Sequence, residues 1–127
     1  MTNDPNNMGD QPEYDLEERT AQFGEAIIDF VRPIKLDAVT DPLVRQIVRS
    51  STSIAANYSE ANDAETKKAF KHKINTCRKE SKETKLWLRM IARAVPEQRN
   101  TAVGLWQEAK ELNLIFSKIW RNTDPDD

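Results

Sequence analysis

With 127 residues, the chain is long enough for one domain with its own core and too short for two of ordinary size. Three glycines and little strand-like alternation argue against a sheet, the longest apolar run falls far short of a membrane span, and a single cysteine excludes an internal disulfide. The net charge of −2 conceals a segregation: residues 1–40 carry 3 basic and 9 acidic side chains, residues 41–100 carry 13 and 7, and residues 101–127 carry 3 and 5. Positive charge is therefore concentrated mid-chain, where it can attract an anionic partner.

Residues 1–13 are acidic, polar and almost without apolar side chains, which predicts a disordered N-terminal tail. They hold no basic start followed by a hydrophobic stretch, so no secretory signal is expected and a soluble cytoplasmic protein is. A single bundle domain over residues 14–121 follows. Order is expected from about Asp15, where Leu16, Thr20, Phe23, Ile27, Phe30 and Ile34 recur at four- and three-residue steps along one helical face. Pro33 can stop or kink the last turn. Gly24 either weakens the middle by about 1 kcal/mol relative to Ala or marks a close helix contact.

A second helix is expected to start at Asp41, as capping residue, with Pro42 at the first helical position. Leu43, Ile47, Ile54, Tyr58 and Ala61 form its apolar face, and Ser50 and Ser51 fill the gap with small polar groups that need partners if buried. Asn62 and Glu65 have the spacing of a capping box for a third helix. That helix is read from Ala64 to Ala92, roughly 42 Å at 1.5 Å per residue. Phe70, Ile74, Cys77, Ser81, Thr84, Leu88, Ile91 and Val95 form its seam. After the Ala94-Val95-Pro96-Glu97 break, a fourth helix places Ala102, Trp106, Ala109, Asn113, Phe116 and Trp120 on one face, before an acidic tail at 122–127. Four amphipathic helices with short connections predict an all-α, antiparallel up-down-up-down four-helix bundle. Trp87 and Met90 lie off the third helix's seam, and this surplus of apolar surface suggests a subunit interface.

The chain offers little for catalysis. It has one His and one Cys, no CxxC or HExxH spacing and no Gly-rich phosphate loop, so no metal, cofactor or enzymatic activity is expected. His72 and Cys77, five apart, are separated by about 140° around the helix axis and cannot form a local nucleophile–base pair. Cys77 reads as a small core residue and His72 as a solvated one.

Two stripes stand out. Arg49, Ser53, Asn57 and Glu60 share one side of the second helix, and across an antiparallel hairpin Arg49 falls within reach of Glu80 or Glu83. This set reads first as a structural polar network and secondly as a recognition site; a di-metal carboxylate site normally wants two Glu-x-x-His motifs. On the third helix, Lys67, Lys71, Arg78, Lys82, Lys85, Arg89 and Arg93 make a basic band suited to neutralising several phosphates. The bland reading of that band is a solvated face, partly compensated by Glu80, Glu83 and the acidic tails. No aromatic residue interleaves with it along the helix, so the sequence shows no stacking platform.

The segment RSSTSIAANYSEANDAETKKAFKHKINTCRKESKETKLWLRMI, Arg49 to Ile91, resembles the four-helix bundle proteins also called 23S ribosomal RNA intervening-sequence proteins. The resemblance rests on Ser53, Ile54, Asn57 and Glu60; on Phe70 and Lys73; and on Lys79, Glu80, Glu83, Thr84, Trp87 and Leu88. It implies a bacterial cytoplasmic protein without known catalysis that assembles into ring-like homo-oligomers, pentamers by expectation, with suspected nucleic-acid binding. It also implies a relation to the accessory variability proteins of diversity-generating retroelements, which bind a reverse transcriptase and its RNA. The resulting expectation is a non-enzymatic oligomer that binds structured RNA or another nucleic acid through the basic band. The alternative is an adaptor that docks a protein such as a reverse transcriptase.

Overall fold

A computed structural model of the chain describes residues 12–124, so all but two residues of the expected N-terminal tail and the last three of the expected C-terminal tail lie outside the described residues. Four helices follow one another: α1 (Pro12–Val31), α2 (Thr40–Asn62), α3 (Lys67–Ala94) and α4 (Arg99–Asn122), with one 3-10 turn at Pro96–Gln98 before α4. Cross-helix pairs fix their directions. Ascending positions on α2 meet descending positions on α3, as in Arg49 with Glu83, Ile54 with Cys77 and Glu60 with Lys73. The same inversion relates α3 to α4 through Lys85 with Trp106 and Lys71 with Trp120, and α1 to α4 through Arg19 with Glu108 and Phe30 with Gln98. Neighbours in sequence are thus neighbours in space, and the four helices form an up-down-up-down bundle.

The predicted faces are largely the buried ones, although Leu43, Phe70, Trp106, Asn113 and Trp120 are only half-buried and Leu112 is enclosed beside the predicted α4 face. Leu16, Phe23, Ile27, Phe30, Ile47, Ile54, Tyr58, Ile74, Cys77, Leu88, Ile91, Leu112 and Phe116 make one core, in which the Tyr58 and Phe116 rings lie 6.0 Å apart at a tilt of 46°. Small residues at Ser50, Ser51, Ala61, Ser81, Ala102 and Ala109 are fully enclosed and let the helices approach. The hydroxyls of Ser50 and Ser81 are satisfied, as burial requires. Ser50 Oγ and Thr84 Oγ1 meet at 2.8 Å across α2 and α3, Thr84 donates to the Glu80 carbonyl, and Ser81 donates to the Cys77 carbonyl. Gly24 faces α2 closely, yet an added Cβ would stand 3.9 Å from the Ser51 carbonyl and from Thr52, an ordinary contact.

Both expected capping residues are corrected. The turn into α2 is closed by Asp37, whose Oδ1 accepts from the backbone N–H groups of Val39 and Thr40 at 2.8 and 2.9 Å. Asp41 sits inside the helix and pairs with Arg45 one turn on. The α3 cap is Thr66, whose Oγ1 accepts from the Ala69 N–H at 3.0 Å, while Asn62 ends α2 and donates to Glu17 of α1. The chain continues helical from Thr40 because Pro42 needs no N–H bond in the first turn. Pro33 falls just beyond the last residue of α1, as its ring requires.

Candidate nucleic-acid interface

α3 turns one flank toward α2 and the opposite flank toward α4, and its charges divide accordingly. On the α2 side, Arg49 Nη1 donates to both Glu80 oxygens at 3.3 Å and Nη2 donates to Glu83 Oε1. Ser53 Oγ reaches Glu80 Oε2 at 3.4 Å, and Asn57 Nδ2 donates to the Ser53 carbonyl and hydroxyl at 2.9 Å. Glu60 completes the row by pairing with Lys73, rather than with Arg49.

One guanidinium shared by two carboxylates splits their behaviour. Burial pushes the Glu80 carboxyl above its ordinary value, and a hydrogen bond with Glu83 adds to the rise. Burial also acts to raise Glu83, but hydrogen bonds from Arg49 and Glu80 outweigh it and hold that carboxyl below its ordinary value. Trp87, one turn beyond Glu83, packs against the core with Nε1 buried; that nitrogen falls short of hydrogen-bond geometry but still favours the ionised form of Glu83. The arrangement fixes the register of α2 against α3 and leaves neither carboxylate facing the basic flank.

The opposite flank carries the basic band. Lys71 Nζ and the Arg78 guanidinium lie 4.6 and 4.7 Å from the Trp120 ring centre, and Lys85 Nζ lies 5.4 Å from that of Trp106. These are cation–π distances, and they hold three flexible side chains in a row against α4. Arg78 is fixed further by Asn75 Oδ1, which accepts from its Nε and Nη2 at 3.0 and 2.7 Å, while Asn113 of α4 donates to the Arg78 carbonyl. Lys82, Arg89 and Arg93 are exposed. Among the described residues, no carboxylate pairs with Lys71, Arg78, Lys82, Lys85, Arg89 or Arg93. Two points of the sequence reading therefore change. Glu80 and Glu83 do not compensate the band, because they lie on the far flank and Arg49 engages them. Aromatic side chains do accompany it, supplied by α4 instead of α3, a juxtaposition that only the packing of the two helices creates.

At the lower end of the band, a cleft of about 650 Å³ opens between the end of α3 and the start of α4. It is lined by Leu88, Arg89, Ala92, Arg93, Pro96, Arg99, Ala102, Val103 and Trp106. Arg99, absent from the predicted set, joins it here; the only sequence sign was its position just past the Pro96 break. Met90 and Leu86, one turn apart on the outer side of α3, are 38% and 45% exposed. Cys77 is enclosed in the core, where burial pushes its thiol up to about 12. It is chemically quiet at neutral pH. Among the described residues, no group of three or more His, Cys, Asp or Glu side chains could hold a metal, and no helix is long and apolar enough to cross a membrane.

Residues 13–118 match the family model of the 23S rRNA-intervening sequence protein. A crystal structure of a protein with unknown function from the S23 ribosomal protein family of Bacteroides thetaiotaomicron is similar over 87% of this chain and 98% of its own, at 26% identity and a TM-score of 0.76. No curated protein matches the chain. With 106 of its 127 residues inside the family match and the same fold in a solved relative, the chain belongs to the 23S rRNA-intervening sequence protein family.

Proposed function

We propose that this protein is a non-enzymatic homo-oligomer, a pentameric ring, that binds structured RNA along the α4-facing flank of α3. The observation that carries the reading is the uncompensated band from Lys71 to Arg93, ordered against two tryptophans of the neighbouring helix. Cations already held in a row lose less conformational freedom on meeting phosphates than free surface lysines do. The band runs roughly 33 Å at 1.5 Å per residue, enough to follow several phosphates of a strand. Of the two residues expected at a subunit interface, Met90 is exposed and Trp87 packs against the core; Met90 and its exposed neighbour Leu86 supply apolar surface for self-association and support the oligomeric part of the reading.

The test is retention of RNA by the variant Lys71→Glu, Arg78→Glu, Lys82→Glu, Arg89→Glu. Its folding is checked by circular dichroism and its mass by light scattering. For the unmodified protein, log affinity for single-stranded RNA should fall with log salt at a slope of about −0.7 per phosphate neutralised, or roughly −3 to −4 for five contacts. The folded variant should lose most of that affinity and most of the slope. Unchanged retention would remove the RNA reading and leave the adaptor, a ring that docks a protein such as a reverse transcriptase through its apolar surface. A monomeric mass would remove the ring.

A further inference from the structure

The cleft where α3 gives way to α4 joins three arginines to an apolar wall. Arg89 and Arg93, one turn apart on α3, and Arg99, the first residue of α4, rim it with exposed guanidinium groups, and among the described residues none of the three makes an ion pair. The wall between these arginines is apolar: Leu88, Ala92, Ala102, Val103 and the flat indole of Trp106. Val103 is 52% exposed, an apolar side chain left open to solvent beside three cations. At about 650 Å³, the volume lies within the ~300–1,000 Å³ range of small-molecule sites.

We propose that this cleft holds one unstacked nucleotide, its phosphate on Arg89, Arg93 and Arg99 and its base against Val103 and Trp106. The proposal rests on the nucleic-acid reading above and deepens it. The band would follow the backbone, and the cleft would take a base that a loop or bulge leaves free. Inorganic phosphate satisfies only the arginines, and a duplex offers no free base to the apolar wall. A nucleotide satisfies both. Guanidinium groups match phosphate oxygens in paired hydrogen bonds, and an indole provides a stacking surface tolerant of base identity. Lys85 and Lys110 lie over the Trp106 ring, 5.4 and 5.7 Å from its centre, so a base stacks on the indole by displacing one of these flexible side chains, and both keep positive charge at the site.

The test uses Trp106 as the sole tryptophan, excited selectively over the tyrosines, in a full chain carrying Trp87→Phe and Trp120→Phe. The probes are a single-stranded RNA decamer, an abasic decamer with the same phosphates, an RNA duplex and adenosine monophosphate. The decamer should quench Trp106 saturably, whereas the abasic decamer and the duplex should bind without quenching. Val103→Asp, at an exposed position outside the core, should abolish the quench. In an otherwise unmodified chain, it should weaken decamer retention by roughly five- to 150-fold while changing duplex retention little. That second comparison keeps the proposal open to refutation if the two-tryptophan replacement fails to fold. Retention of the decamer with Trp106 unchanged and Val103→Asp silent would overturn the cleft and spare the RNA reading. Quenching by adenosine monophosphate without decamer binding would uphold the cleft for a free nucleotide and remove the RNA reading. Failure of every probe would overturn both.

Discussion

Replacing Thr84 by Val strips one hydroxyl from a pair that is fully enclosed between α2 and α3. Ser50 and Thr84 are each 0% exposed, and their oxygens lie 2.8 Å apart. Thr84 spends its own proton on the Glu80 carbonyl at 2.8 Å, so the proton that bridges the helices belongs to Ser50. In Thr84→Val that proton keeps only the Ile47 carbonyl, at 3.4 Å, too long to replace the lost acceptor. A buried donor left without a partner costs about 1–3 kcal/mol, and Val preserves the shape, so little cavity cost adds to it. Ser50→Ala leaves Thr84 bonded within its own helix and should cost about 1 kcal/mol. The double variant strands no donor. Its destabilisation should fall short of the sum of the two single ones by about 1 kcal/mol or more. Urea unfolding followed by circular dichroism, at one protein concentration and pH, gives the three values. Additivity within about 0.3 kcal/mol would refute the assignment of the bridging proton and, with it, the coupling of the two hydroxyls across α2 and α3.

Two further outcomes follow from the local geometry. Gly24→Ala should stabilise the protein by up to about 1 kcal/mol, because the new Cβ meets Ser51 and Thr52 at ordinary contact distance and the helix gains propensity; an unchanged or lower urea midpoint would count against it. Asp37 is held below its ordinary value of 3.8 by the Thr40 and Val39 N–H groups, so its contribution to stability is present above that pH and lost as pH falls through the depressed folded value. Asp37→Asn keeps the acceptor but cannot titrate. Its urea midpoint should therefore decline less steeply than that of the unmodified protein between pH 4 and pH 2.5, and parallel curves would argue against Asp37 as the cap.

Much of the bundle is set by order along the chain. The four- and three-residue spacing of Leu16 to Ile34, of Phe70 to Ile91 and of Ala102 to Phe116 selects the buried face of each helix before any helix meets another, because helical geometry alone decides which side chains share a side. Short connections then force neighbours to be antiparallel, so the reach of Arg49 to Glu80 and Glu83 follows from counting residues away from the turn. Caps are less legible, since Asp37, Asp41, Asn62 and Thr66 are all competent capping residues, and only the path of the backbone decides which side chain meets free N–H groups.

The site depended on what stands beside α3. Spacing placed the basic residues on one stripe, but whether their charge was cancelled turned on rotation about the helix axis relative to α2 and α4. Packing sent Glu80 and Glu83 to one flank and set Trp106 and Trp120 against the other. Arg19 shows the same limit: its bonds to Glu108 and Glu111, at 2.7 and 2.8 Å, span most of the sequence and tie α1 to α4. The sequence by itself determined which face of each helix is buried and where positive charge accumulates, because both depend on periods within one helix. Only the tertiary structure decided which charges are paired, which aromatics accompany them and that Arg99 shares a cleft with Arg89 and Arg93, because those depend on distances between helices that no spacing along one of them encodes.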